Sequence, residues 1–218
     1  MSNESDSVLA TIARFGVVPV IAIDSIDAAI PLADALLEGG LALVEITFRT
    51  AAAAEVIEKI TAERPEMLVG AGTVLSIKNL ETAKAVGARF GVAPGLNPDV
   101  IFSAQEIELP FIPGVCTASE IEGAMGLGCM VLKYFPAELN GGVEMLKALS
   151  GPYAHTGVRF MPTGGVSPAN LESYLAIETV AAVGGTWIAK RDDLAAGRWS
   201  EIRDRCRRAV ETVRRVRG

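Results

Sequence analysis

Lys133 stands alone in Cys129-Met130-Val131-Leu132-Lys133-Tyr134-Phe135, a run otherwise apolar enough to be a buried strand, and Pro136 ends it. Burial disfavours the ammonium form of a lysine, and a neutral amine can add to a carbonyl carbon to form a Schiff base. A buried Lys–Glu ion pair, or a stem snorkelling to the strand end, would place a lysine there without any chemistry. Glu45, Thr47 and Arg49 form a second set, alternating with the apolar Val44, Ile46 and Phe48. The two-residue period of a strand puts the apolar trio under helices and the polar trio on the opposite face. By the same counting Val131, Lys133 and Phe135 share a face opposite Met130, Leu132 and Tyr134, and Thr73 falls with Val69 and Ala71 at the end of its strand. Two glycine-rich turns complete the set: Pro162-Thr163-Gly164-Gly165-Val166-Ser167-Pro168 and Gly184-Gly185-Thr186. Such turns either expose backbone N–H groups that bind an anion or simply supply the positive φ of a tight turn.

These residues need elements to hold them. Short apolar runs at Val17–Ile23, Ala42–Phe48, Leu68–Thr73, Arg89–Ala93, Phe111–Val115, Cys129–Phe135, Val158–Pro162 and Val180–Gly184 read as strands. Stretches such as Ile26–Glu38, Ala51–Glu63, Ile77–Val86, Ala118–Met125, Val143–Leu149 and Pro168–Ala176 have helical periodicity or strong helix formers. Alternation of the two predicts βαβ units and a parallel sheet, and eight such units predict a compact (β/α)8 barrel. An open doubly wound sheet is the other arrangement, but no GxGxxG follows the first strand. With no linker or composition shift, residues 1–218 read as one domain, with an N-terminal extension over 1–15 and an amphipathic helix over about 199–217. In a barrel, Glu45, Arg49 and Lys133 would share the interior toward the C-terminal strand ends, where barrel enzymes place their sites. A salt-bridge cluster is the competing reading, but that placement favours catalysis. Turns after the seventh and eighth strands are likewise where barrels bind phosphate.

Composition removes other classes. Half of the 218 residues are hydrophobic but only 6% are aromatic, and the net charge is −6, which argues against broad nucleic-acid binding. The basic run from Arg203 to Arg215 reads as the solvated face of the last helix. Cys116, Cys129 and Cys206 are odd in number and far apart, as free thiols in a reducing compartment would be. The polar start Met-Ser-Asn-Glu-Ser-Asp is no signal peptide, and no apolar run reaches the length of a membrane span, so a cytoplasmic protein is expected. One histidine, His155, and no HExxH leave no set of metal ligands, and neither a GxSxG elbow nor a P-loop is present.

With those residues placed, nearly the whole chain resembles the 2-keto-3-deoxy-6-phosphogluconate (KDPG) and 4-hydroxy-2-oxoglutarate aldolases. The pieces that carry the resemblance are Glu45-Ile46-Thr47-Phe48-Arg49-Thr50, Val69-Gly70-Ala71-Gly72-Thr73-Val74, Pro94-Gly95, Lys133-Tyr134-Phe135-Pro136-Ala137-Glu138, Asn140-Gly141-Gly142, Pro162 to Asn170 and Gly184-Gly185-Thr186-Trp187. The resemblance implies a metal-independent class I aldolase on a (β/α)8 barrel, without a cofactor and usually homotrimeric, that serves sugar-acid breakdown. It implies Lys133 as the Schiff-base lysine and Glu45 as the general acid and base. Arg49 and Thr73 would hold the pyruvyl carboxylate, Thr163 would contact substrate, and Pro94 and Phe135 would line the pocket. Gly164, Gly165, Gly185 and Thr186 would bind phosphate. Two positions depart from the family's usual pattern: Ala93 stands where a serine often precedes Pro-Gly, and Thr186 where a serine is common. Phosphogalactonate aldolases lack the Arg-Thr after strand two and the Thr before Gly-Gly, so Arg49 and Thr163 favour the gluconate-type enzyme. Another phosphate-binding barrel enzyme, such as an epimerase or isomerase using Glu45, and a non-catalytic sensor of sugar-acid phosphates are the competing readings.

Overall fold

The computed structural model describes residues 4–218. Helix α1 (Glu4–Phe15) is followed by β1 (Val17–Ile21), a 3-10 turn at Ile26–Ala28, α2 (Ala29–Glu38), β2 (Leu43–Thr47), α3 (Ala53–Glu63), β3 (Leu68–Gly72), α4 (Ile77–Ala85), β4 (Phe90–Val92) and α5 (Pro98–Glu106). Then come β5 (Phe111–Ile112), β6 (Gly114–Val115), α6 (Ala118–Gly126), β7 (Val131–Tyr134), α7 (Gly142–Ser150), a 3-10 turn at Gly151–Thr156 and β8 (Arg159–Phe160). The chain ends with α8 (Leu171–Leu175), β9 (Val183–Gly185), α9 (Arg191–Ala195) and α10 (Trp199–Arg217).

All strand pairs are parallel. One sheet runs β5-β4-β3-β2-β1-β9 and a second runs β6-β7-β8. Two features make them one closed wall. Pro113 separates β5 from β6, because it has no N–H to give to the ladder, yet its carbonyl accepts from Lys133 N at 2.8 Å. At the other seam, parallel bridges Phe160↔Val180 and Thr163↔Gly184 join the β8 segment to the run leading into β9. The result is the expected (β/α)8 barrel, with β5 and β6 as one broken stave. The observed strands are shorter than the apolar runs in the sequence, since several runs bend out of the ladder where they approach the loops.

Parity sorts the core into two. Val44, Ile46, Val69, Ala71, Leu132 and Tyr134 pack outward against the helices. Val18, Leu43, Phe90, Val92, Ile112, Met161 and Ala182 fill the interior at the N-terminal end of the strands. Val8 and Ile12 of α1 belong to that interior cluster, so the stretch read from sequence as an extension includes a helix that plugs the barrel floor. Residues 1–3 of that stretch lie outside the described residues. Val8 and Ile12 are one helical turn apart, and burying each contributes about 2 kcal/mol. The Arg217 guanidinium fastens the two chain ends together by donating to the carbonyls of Ala13 (3.0 Å), Ala181 (2.7 Å) and Val180 (2.9 Å).

Candidate active site

Register sets the site. Lys133 lies opposite Gly114, Glu45 opposite both Val20 and Gly70, and Thr47 opposite Gly72. Pairing a long polar side chain with glycine on the next strand leaves room inside the barrel. Lys133 and Glu45 are both buried, at 5% and 0% exposure, and Lys133 Nζ donates to Glu45 Oε1 at 3.3 Å. Charged hydrogen bonds are usually nearer about 2.8 Å, so the amine is close to the carboxylate without being clamped by it. Glu45 Oε2 is buried and accepts from no group among the described residues. One carboxylate oxygen therefore faces the amine while the other is open to a second proton partner. The Phe135 ring centroid is 5.6 Å from Nζ, within range of a cation–π contact with the ammonium form.

Glycines inside the strands make this arrangement fit. A Cβ on Gly72 would collide with the Glu45 carboxylate, and one on Gly184 would collide with Thr163 Oγ1. From the sequence, Gly184 was read as part of a glycine-rich turn and Gly72 only as part of a matching motif, and neither was given this spacing role, although a glycine within a strand is itself a sign of close approach. Thr163 is 2% exposed and donates to Met161 O at 3.3 Å. Thr73 departs from its expected register. The strand ends at Gly72, and Thr73 takes a left-handed φ of 56°, so alternation no longer dictates where its side chain goes. Thr73 and Pro94 lie half-buried on the loops after β3 and β4, and no hydrogen bond or ring contact joins either to the Lys133–Glu45 pair.

Around the mouth, Thr47, Arg49 and Thr186 line a cavity of about 320 Å3 together with Trp187 and Lys190. Arg49 and Thr186 are exposed side chains. Gly164 and Gly165 have φ of 96° and 80°, which only glycine adopts without strain. Among the described residues the N–H groups of Gly164, Gly165 and Thr186 donate to no acceptor, which suits them to an anion. Gly185 ends β9 and packs under the Trp187 ring. The Gly164-Gly165 turn is braced from below: Ala137 N donates to Thr163 O (2.8 Å), Glu138 N donates to Gly164 O (3.0 Å), and Tyr174 donates to the Glu138 carboxylate. Burial and that carboxylate push the Tyr174 phenol well above its ordinary range. Among the described residues no group of three or more His, Cys, Asp or Glu side chains lies where it would hold a metal ion. The three cysteines are free thiols, and burial pushes Cys129 up to about 11 and Cys206 up to about 12.

A closed parallel barrel that buries a lysine amine in its interior, beside a carboxylate with one oxygen to spare, is a framework suited to an enzyme working through an amine nucleophile. The particular family follows from comparison with known proteins. The family model described as KDPG and KHG aldolase matches residues 8–205. The chain is 41% identical to a 2-dehydro-3-deoxy-phosphogluconate aldolase of Haemophilus influenzae, covering 98% of this chain and all of that protein. It is 43% identical to a KHG/KDPG aldolase of Escherichia coli strain K12, covering 97% of this chain and 98% of the relative. Its fold superposes with a TM-score of 0.88 on a KDPG aldolase of Legionella pneumophila that was captured with pyruvate as a covalent carbinolamine, at 38% identity over 95% of this chain and 98% of that one. The chain belongs to the KDPG and KHG aldolase family.

Proposed function

We infer that this protein is a Schiff-base aldolase that cleaves 2-keto-3-deoxy-6-phosphogluconate to pyruvate and glyceraldehyde 3-phosphate, and that also cleaves 4-hydroxy-2-oxoglutarate to pyruvate and glyoxylate. The observation that carries this is the buried Lys133–Glu45 pair inside the barrel. The relatives' names and the carbinolamine in the Legionella protein support the substrate and the covalent route.

Lys133 Nζ gives a proton to Glu45 and adds to the C2 ketone, forming a carbinolamine. Glu45 returns that proton to the carbinolamine hydroxyl, which leaves as water, and a protonated imine remains between Nζ and C2. Glu45 takes the proton of the C4 hydroxyl, and the C3–C4 bond breaks as its electrons flow into the imine. Glyceraldehyde 3-phosphate leaves, and the remaining enamine takes a proton back from Glu45 at C3. Water then hydrolyses the imine to release pyruvate and restore the lysine. Arg49 and Thr73 hold the carboxylate next to C2, Thr163 positions the substrate, and Phe135 and Pro94 wall the reacting carbons. The phosphate rests on the turns of Gly164, Gly165, Gly185 and Thr186.

The working form is a homotrimer in the cytoplasm. Supporting the assembly, Leu75, Ile77, Phe102, Leu139 and Met145 are large apolar side chains exposed on the half of the barrel that carries α4 to α7, and further copies of this chain would cover them. Supporting the compartment, the cysteines are free, and among the described residues no helix is long and apolar enough to cross a membrane. A coupled assay for pyruvate release tests the substrate assignment. The kcat/KM for the phosphorylated sugar acid should exceed that for 4-hydroxy-2-oxoglutarate by at least tenfold, and a reversed ratio would overturn the preference for phosphate.

A further inference from the structure

A cavity of about 540 Å3 lies outside the barrel, between α8, the segment from Trp187 to Lys190, and α10. Its size is within the usual range of about 300–1,000 Å3 for small-molecule sites. Its wall is apolar where Leu171, Trp187 and Ala209 meet it, all three otherwise buried. Its rim is cationic, and the cations differ in kind. Arg205 is neutralised by Asp193 and Glu201, and Arg215 by Glu172. Lys190 and Arg208 have no carboxylate at ion-pair distance among the described residues, and Glu211 is the one acid in the lining. In a chain of net charge −6, α10 carries seven arginines against three acids, so this face is a local positive spot.

The cavity also backs onto the reacting end. Trp187 and Lys190 line both it and the mouth cavity that holds Arg49 and Thr186. Pro168, in its wall, closes the segment that begins with Gly164-Gly165. The Trp187 ring comes within 2.8 Å of where a Cβ on Gly185 would sit, so the indole and the second glycine turn are packed as a unit.

We propose that this outer cavity is a second binding site, for a small molecule that joins a phosphate to a planar apolar body, and that its occupancy weakens substrate binding at the mouth. The phosphate pairs with Lys190 and Arg208, and the planar body covers Leu171, Ala209 and Trp187. A sugar phosphate would leave the apolar wall uncovered, and a purely apolar molecule would desolvate the cations without pairing them. Lys190 drawn outward to the occupant is lost from the mouth, and pressure on Trp187 is felt at Gly185. Because such coupling is reciprocal, bound substrate must weaken the occupant equally. The binding site stands on the cavity alone, while the coupling rests on reading the mouth as the substrate's phosphate site.

Isothermal titration of the full chain with adenosine monophosphate, adenosine and inorganic phosphate tests the site. The expected result is one saturable site for adenosine monophosphate per chain, with adenosine and phosphate each at least tenfold weaker. Arg208→Glu should weaken the nucleotide at least tenfold while leaving circular dichroism and turnover unchanged. In the unmodified chain, adenosine monophosphate should raise KM for the phosphorylated sugar acid at least threefold with kcat unchanged, and Arg208→Glu should abolish that rise. Absence of saturable binding, binding untouched by Arg208→Glu, or displacement by excess pyruvate would overturn the site. Binding that depends on Arg208 but leaves KM unmoved would overturn the coupling. Binding that depends on Arg208 in a chain with no aldolase turnover would uphold the site and overturn the functional reading instead.

Discussion

The two ends of the barrel are built on the same strands with opposite results. At the floor, Leu43, Val131, Met161 and Ala182 point inward and are sealed beneath by Val8 and Ile12. One pleat higher on each strand, the inward positions are Glu45, Lys133, Thr163 and Gly184, two residues on in every case. Two residues of strand is about 7 Å. Within that distance the interior changes from packed hydrocarbon to a carboxylate, an amine and a hydroxyl, with glycines keeping the space open. The floor supplies the rigidity that holds Nζ and Oε1 at 3.3 Å, and the upper layer uses side chains that would be costly in any packed core. Stability and chemistry are thus separated along the strands, and substitutions in the two layers should have different signatures.

Glu45→Gln tests the upper layer and should have the largest effect. It keeps the shape of the side chain but removes its capacity to move a proton. The kcat should fall about a thousandfold, about 4 kcal/mol in the barrier, while the midpoint of thermal unfolding changes little. Retained turnover would reduce Glu45 to a partner in an ion pair. Ile12→Ala tests the floor. Ile12 is 1% exposed, so urea unfolding should show a loss of about 3 kcal/mol with kcat unaltered in the folded fraction. A fall in kcat at full folding would show that the two layers are not separable.

A smaller effect is expected beside the mouth at Asp193, a 4% exposed carboxylate that accepts from Arg205, Arg198 and the Lys190 N–H. The Arg205 hydrogen bond above all holds its carboxyl well below the ordinary range. A depressed folded value contributes stability that is present above the unfolded value near about 3.9 and is lost as the pH falls from there through the folded value. Asp193→Asn should therefore cost about 2 kcal/mol at pH 7, a figure reduced because both arginines are partly exposed. The gap between the variant and the unmodified chain should narrow only below about pH 4. A gap that is constant down to pH 2 would mean that the ionised carboxyl is not what stabilises this segment.

The upper layer was far more legible in the sequence than the floor. An isolated lysine in an apolar strand, and a Glu-x-Thr-x-Arg alternation, declare a face by parity alone, and the structure brings Lys133 to Glu45 across 88 positions of sequence. The floor gave weaker signs. Val8 and Ile12 have helical spacing, but nothing local says that their helix turns under the barrel instead of lying on its side. Parity also failed at Thr73, because a left-handed residue ends the strand before the alternation reaches it. Pro113 interrupts the fifth stave within a run that looks continuous. The clamp on Asp193 and the cavity behind Trp187 depend on α10 folding back on the segment after β9, an arrangement without a short-range sequence signal.

Turnover by this route requires a covalent bond between Lys133 and the keto carbon of pyruvate. Incubating the protein with pyruvate, reducing with borohydride and mapping the product by peptide mass spectrometry would reveal that bond. One reduced pyruvyl adduct per chain is expected, on Lys133, absent without pyruvate and absent from Lys133→Ala. No adduct under turnover conditions, or an adduct on another lysine with Lys133→Ala still active, would contradict it.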